Sequence, residues 1–205
     1  MSGVDAALAA KRPGRDFDVL IIGGSAGAFS VLRTLLPALR APQLLAIVVL
    51  HQAPNGGDLA NLFQGVAGLP CVTVEDKLPA TPGSIYFAPA GYHLLIERDG
   101  TFALSVDAPV NWSRPSIDVS FDSAADVYGA RLAALILTGA SDDGARGMLN
   151  IRKVGGLTIA QDPAGAEVPL MPTAAIREAA PRAVLSIDQL SALFTSWSTP
   201  EASPA

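Results

Sequence analysis

Short apolar runs alternate along the chain with segments whose apolar residues recur at helical spacing. Asp18-Val19-Leu20-Ile21-Ile22 reads as a buried strand, closed by Gly23-Gly24. From Ala28 to Leu39 the apolar positions Phe29, Leu32, Leu35, Leu36 and Leu39 follow a period of three to four, which predicts a helix ending before Pro42. Ala46 to Leu50 is a second strand, and 57–63 supplies a short helix. Two further strands are predicted at Cys71-Val72-Thr73-Val74 and at Ser84-Ile85-Tyr86-Phe87-Ala88, the latter after a Pro-Gly turn. Segments 93–97 and 102–106 flank Asp99-Gly100, a hairpin signal. Beyond it come a helix over 116–128, a buried strand over 132–137, a helix over 144–154 and a strand over 157–160.

Continuous apolar strands separated by helices predict a doubly wound α/β fold, with a mostly parallel sheet, helices on both faces and the antiparallel hairpin at one edge. In such sheets the reactive residues lie beyond the carboxyl ends of the strands. Residues 1–17 read as a flexible lead-in, 18–195 as one domain and 196–205 as a flexible tail. A length of 205 residues suits a single core.

Composition narrows the classes. Half the residues are hydrophobic and 16% are charged, which excludes a disordered chain. No apolar run approaches the roughly 20 residues of a membrane-spanning helix, so no membrane insertion is expected. The first sixteen residues lack the apolar core of a secretory signal. The single cysteine, Cys71, has no internal disulfide partner, which agrees with a reducing compartment, and a cytoplasmic location is expected. A net charge of −5 without any basic run argues against nucleic-acid partners.

Three polar residues stand where predicted strands run out: Ser25, His51 and Asp143. A serine hydroxyl is a weak nucleophile near neutral pH. It needs an imidazole to take its proton and a carboxylate to orient that imidazole. Each residue also has a plainer role open to it. Ser25, within Gly23-Gly24-Ser25-Ala26-Gly27, suits a helix cap as well as an exposed nucleophile on a sharp strand-to-helix turn. Either Asp142 or Asp143 suits a helix N-cap, and Gly144 tolerates the turn that would aim Asp143 inward. His93, near the start of the hairpin, reads as structural or substrate-facing. A dinucleotide site fails twice: Ser25 stands where the fingerprint needs its second glycine, and His51 ends the second strand where an acidic residue is needed. Two histidines and one cysteine, widely separated, offer no zinc spacing. No metal and no cofactor is expected.

The chain resembles the catalytic domain of the CheB-type protein-glutamate methylesterases of bacterial chemotaxis over roughly 18–194. The resemblance rests on ordered blocks: 22–27, Val49-Leu50-His51-Gln52-Ala53-Pro54, 82–89, Arg114-Pro115-Ser116-Ile117-Asp118-Val119, Leu137-Thr138-Gly139-Ala140-Ser141-Asp142-Asp143-Gly144-Ala145, and Ala160-Gln161-Asp162 leading to Met171-Pro172. It implies Ser25 as nucleophile, His51 as general base, Asp143 as the orienting carboxylate, an oxyanion hole from the amides of Ala26 and Ala140, and Arg114 as a substrate-positioning residue. The implied substrate is a methylated glutamate on a chemoreceptor-like protein, with deamidation of glutamine as a related reaction. Ala26, Ala28, Ala140 and Gln52 depart from the residues usual in the family, so a weakened enzyme acting as a scaffold or binding domain is the alternative. The receiver domain of typical relatives has no counterpart in the seventeen residues before Asp18. Constant activity or control by a separate regulatory partner is therefore expected.

Overall fold

The structure, a computed structural model, describes residues 6–53 and 57–198. In chain order its elements are α1 (Ala6–Ala9), β1 (Val19–Gly24), α2 (Ala28–Leu35), β2 (Leu45–Leu50), α3 (Leu59–Phe63), β3 (Cys71–Thr73), β4 (Ile85–Phe87), β5 (His93–Ile96), β6 (Phe102–Ser105), α4 (Ile117–Tyr128), β7 (Leu132–Ile136), α5 (Ala145–Lys153), β8 (Leu157–Gln161), α6 (Leu170–Ala179), β9 (Ala183–Leu185) and α7 (Ile187–Ser198). Seven strands pair in the order β3-β4-β2-β1-β7-β8-β9, and every pairing is parallel.

The strands β1 and β2 are buried along their whole length, which explains their unbroken apolar runs. Successive side chains point to opposite faces. Leu20 and Ile22 join a core with α2 and α7, whereas Val19 and Ile21 join one with α4, α5 and α6. Strand order reverses at β1, with β2 on one side and β7 on the other. Ligand sites of open α/β sheets gather at such a reversal, outside the carboxyl ends of the strands.

The hairpin of β5 and β6 forms a separate two-stranded sheet rather than extending an edge of the large one. Its buried face, Leu94, Ile96 and Phe102, packs into the core that holds α4. The hydroxyl of Ser120 donates to Leu94 O at 2.8 Å, and that of Ser123 accepts from Ile96 N at 3.2 Å. The helix expected to reach Leu39 ends at Leu35 and continues as a 3₁₀ turn over Leu36–Ala38. Pro37, which lacks an amide hydrogen, sits in that turn.

Apolar side chains outside 18–195 also join the core. Leu8 and Phe17, assigned to a flexible lead-in, are buried, and Phe17 meets Trp197 edge to face with ring centroids 5.0 Å apart. Trp197, assigned to the tail, lies in α7 and is only 1% exposed. Leu8, Phe17 and Trp197 thus belong to the core that also holds α2 and α7. Residues 1–5 and 199–205 lie outside the described residues.

Candidate active site

The pairing of β1 with β2 puts Gly24 opposite Leu50, and the amide of His51 donates to Gly24 O at 3.1 Å. Ser25 and His51 therefore leave neighbouring strands side by side. On its other flank Ser25 donates its amide to Thr138 O, 3.0 Å away, just beyond β7. The chain then turns through Ala26 and Gly27 into α2. Gly27 has φ +80°, a left-handed conformation that glycine adopts without steric cost. Thr138 Oγ1, 3.0 Å from Ala26 O, ties this turn to the loop after β7.

Asp143 follows the same loop and is completely buried. His51 Nε2 donates to Asp143 Oδ2 at 2.7 Å. The other donors are the amide of Ile117 (2.6 Å, to Oδ2) and, to Oδ1, Asn111 Nδ2 (2.8 Å), Ser116 Oγ (2.9 Å) and the amide of Asp118 (3.1 Å). Two of these amides open α4, so the carboxylate lies against a helix N-terminus, where partial positive charge favours an anion. Burial by itself raises the Asp143 pKa. Hydrogen bonds from His51, Asn111, Ile117 and Asp118 oppose it, and the net value falls below the ordinary 3.8.

An ionised Asp143 fixes the hydrogen of the imidazole on Nε2, leaving Nδ1 as the basic nitrogen. Ser113 Oγ lies 3.2 Å from Nδ1 and donates to it. Among the described residues no hydrogen bond joins Ser25 Oγ to His51. The three predicted residues thus share one rim, with the His51–Asp143 link formed and His51 Nδ1 paired with Ser113.

Asp118 answers Asp143 from the opposite direction. Its Oδ1 accepts from the amides of Gly144 (2.9 Å) and Gly147 (2.8 Å) at the start of α5. Asn111 Nδ2 lies 3.0 Å from Asp118 Oδ2 and so bridges the two carboxylates. Burial raises the Asp118 pKa, the charge on Asp143 adds to that, and the Gly147 amide opposes it; the net value is above the ordinary one. Gly144 makes the arrangement possible. Its φ is +95°, and a Cβ there would lie 2.7 Å from Ile117 Cγ2.

The amides of Ala26 and Ala140 donate to no protein acceptor among the described residues. Gly139, next to Ala140, is close enough that a Cβ there would lie 3.0 Å from Ser25 Cβ. Arg114 Nη1 donates to Val106 O (2.6 Å) and Asp107 O (2.9 Å). His93 is buried, accepting from Ser116 N at Nδ1 (3.1 Å) and lying 3.1 Å from Ala108 O through Nε2. Those contacts tie His93 to the loop before α4. Burial pushes the Cys71 thiol up to about 11, which leaves it protonated near neutrality and poorly suited to nucleophilic work.

Sequence reasoning missed Asn111, Ser113, Ser116 and Asp118. One signal was available: Ser116-Ile117-Asp118-Val119 opens a helix, and Ser116 Oγ accepts from Val119 N at 3.4 Å as its cap. Nothing in the spacing links Asn111 or Ser113 to residues thirty or sixty positions away.

The family model described as CheB methylesterase matches residues 20–194. A Leptospira interrogans relative is 39% identical over 181 residues, covering 87% of this chain and 94% of that protein. The protein-glutamate methylesterase/protein-glutamine glutaminase of Symbiobacterium thermophilum is 34% identical over 86% of this chain and 49% of its own length. In structure, the chain is similar to the catalytic domain of the Thermotoga maritima CheB methylesterase, with a TM-score of 0.82 and 30% identity over 87% of this chain and 97% of that one.

Proposed function

The chain belongs to the CheB methylesterase family, and on that premise we propose that it hydrolyses methyl esters of glutamate side chains on a chemoreceptor-like protein, through Ser25, His51 and Asp143. The observation that carries the reading is the 2.7 Å hydrogen bond from His51 to a buried carboxylate, one strand away from Ser25.

Ser25 Oγ attacks the ester carbonyl carbon while its proton passes to His51 Nδ1. Asp143 stabilises the imidazolium through Nε2–H. The oxyanion of the tetrahedral intermediate takes hydrogen bonds from the amides of Ala26 and Ala140, which are unaffected by the small side chains at those positions. Collapse breaks the bond to the methoxy oxygen, which takes the proton from Nδ1 and leaves as methanol. Water then attacks the acyl-enzyme and gives a proton to His51, which passes it to Ser25 Oγ as the acyl–oxygen bond breaks, restoring the serine and releasing the glutamate side chain as its acid, which ionises to the carboxylate. With glutamine as substrate, ammonia leaves in place of methanol.

The cycle requires His51 Nδ1 to exchange the hydroxyl of Ser113 for that of Ser25. A scaffold role remains the second reading, favoured by the absence of a Ser25–His51 hydrogen bond among the described residues. Methanol release from a methylated receptor fragment, with Ser25→Ala as control, separates the two. The enzyme reading expects release that the variant abolishes; equal release by both, or none by either, overturns it.

A further inference from the structure

The turn Val110-Asn111-Trp112-Ser113 is closed by reciprocal backbone bonds, Val110 N to Ser113 O (3.2 Å) and Ser113 N to Val110 O (3.0 Å). Its two central residues have φ +49° and +62°, the left-handed pair of a type I′ turn. Asparagine tolerates that conformation, but tryptophan rarely adopts it. Both neighbours of Trp112 are tied to the catalytic cluster, Asn111 through Asp143 and Asp118, Ser113 through His51. Trp112 itself is 99% exposed. The backbone is thus held in an unfavourable region by its neighbours' bonds to the His51–Asp143 cluster, and the outcome is a large aromatic side chain presented to solvent one residue from both of them.

Other apolar side chains are exposed on adjoining segments. Arg114 O accepts from Gly91 N at 3.2 Å, next to Tyr92, and Arg114 Nη1 donates to Val106 O. Tyr92 is 41% and Val106 69% exposed. Isolated exposed apolar residues need no explanation, but aromatic residues grouped with an arginine are the composition of binding hot spots.

We propose that Trp112 is a substrate-docking residue, packing against the apolar part of the polypeptide that flanks the glutamyl methyl ester. Tyr92 and Val106 extend the same contact surface, and the rigid turn keeps the aromatic contact in register with His51. This inference rests on the reading of the protein as a protein-directed methylesterase. It adds the determinant that distinguishes a protein segment from a small ester.

Two measurements test it on the full chain. The first is steady-state kinetics with a methylated chemoreceptor cytoplasmic fragment. Trp112→Ala is expected to raise KM about tenfold or more with kcat within about twofold, and Trp112→Phe to recover most of the loss. A fall in kcat at unchanged KM, or no change in either, overturns docking by Trp112. The second needs no turnover. Trp197 is buried, so acrylamide-quenchable emission comes from Trp112. In the Ser25→Ala protein, saturating methylated fragment is expected to protect that emission; undiminished quenching overturns the proposal. Failure of the methylesterase reading is recognised separately, as absence of methanol release by the unmodified protein.

Discussion

Asp143 concentrates more of the site's electrostatics than any neighbour, because a fully buried carboxylate is tolerable only when its lone pairs are met. Asp143→Asn keeps the shape but offers a donor where donors already point, and it no longer favours the Nε2–H tautomer of His51. Methanol-release assays are expected to give a kcat lower by roughly 10⁴-fold. The variant also isolates the carboxylate's pH dependence. A depressed acid contributes stability that is complete above its ordinary pKa and is lost as pH falls through the depressed value. The stability gap between the unmodified protein and Asp143→Asn, read from urea midpoints, should therefore stay constant from neutrality down to the ordinary carboxylate range. It should close only on further acidification. Asn111→Ala removes the donor shared by two carboxylates, and urea denaturation should register a loss of about 1–3 kcal/mol. That Ser25, His51 and Asp143 occupy one rim was legible, since parallel strands carry their ends to the same edge. The bridging role of Asn111 was not, because it depends on a left-handed turn folding back across the molecule.

At the scale of elements, α4 and α5 cap one another. Asp143, from the loop before α5, receives the first amides of α4, and Asp118, from α4, receives those of α5. Each helix N-terminus thus gains a carboxylate, and that of Asp143 is immobilised as a consequence. Gly144→Ala would force a left-handed alanine against Ile117. Chemical denaturation is expected to show a loss of about 1–3 kcal/mol, accompanied by reduced turnover because the Asp143 carboxylate shifts. Strands β1, β2 and β7 were easy to read because burial on both faces leaves them uniformly apolar. The elements α6, β9 and α7 escaped. Pro172 falls in the first turn of α6, where a missing amide hydrogen costs little, yet in the sequence it reads as a break. In α7 the buried positions Leu190, Leu193, Phe194 and Trp197 do follow helical spacing, but a Ser- and Thr-rich ending obscured them.

The whole molecule sets Ser25, His51 and Asp143 near the point where strand order reverses, while residues that precede β1 and lie in α7 pack together in the core. Phe17 and Trp197 meet there, with Phe194 stacked on Trp197 at 5.3 Å. Phe17→Ala is expected to cost about 3–5 kcal/mol by urea denaturation, with turnover per folded molecule unchanged, since the cavity lies away from the catalytic rim. Polar side chains alone gave no hint of that packing, because it joins residues 180 positions apart through apolar contact. The catalytic claim for the molecule is that the hydroxyl on the turn after β1, rather than the one now on His51 Nδ1, becomes acylated. Reaction with a fluorophosphonate probe followed by peptide mapping tests this most directly. The adduct is predicted on Ser25, retained in Ser113→Ala and lost in His51→Ala; an adduct on Ser113, or no adduct at all, would contradict the account.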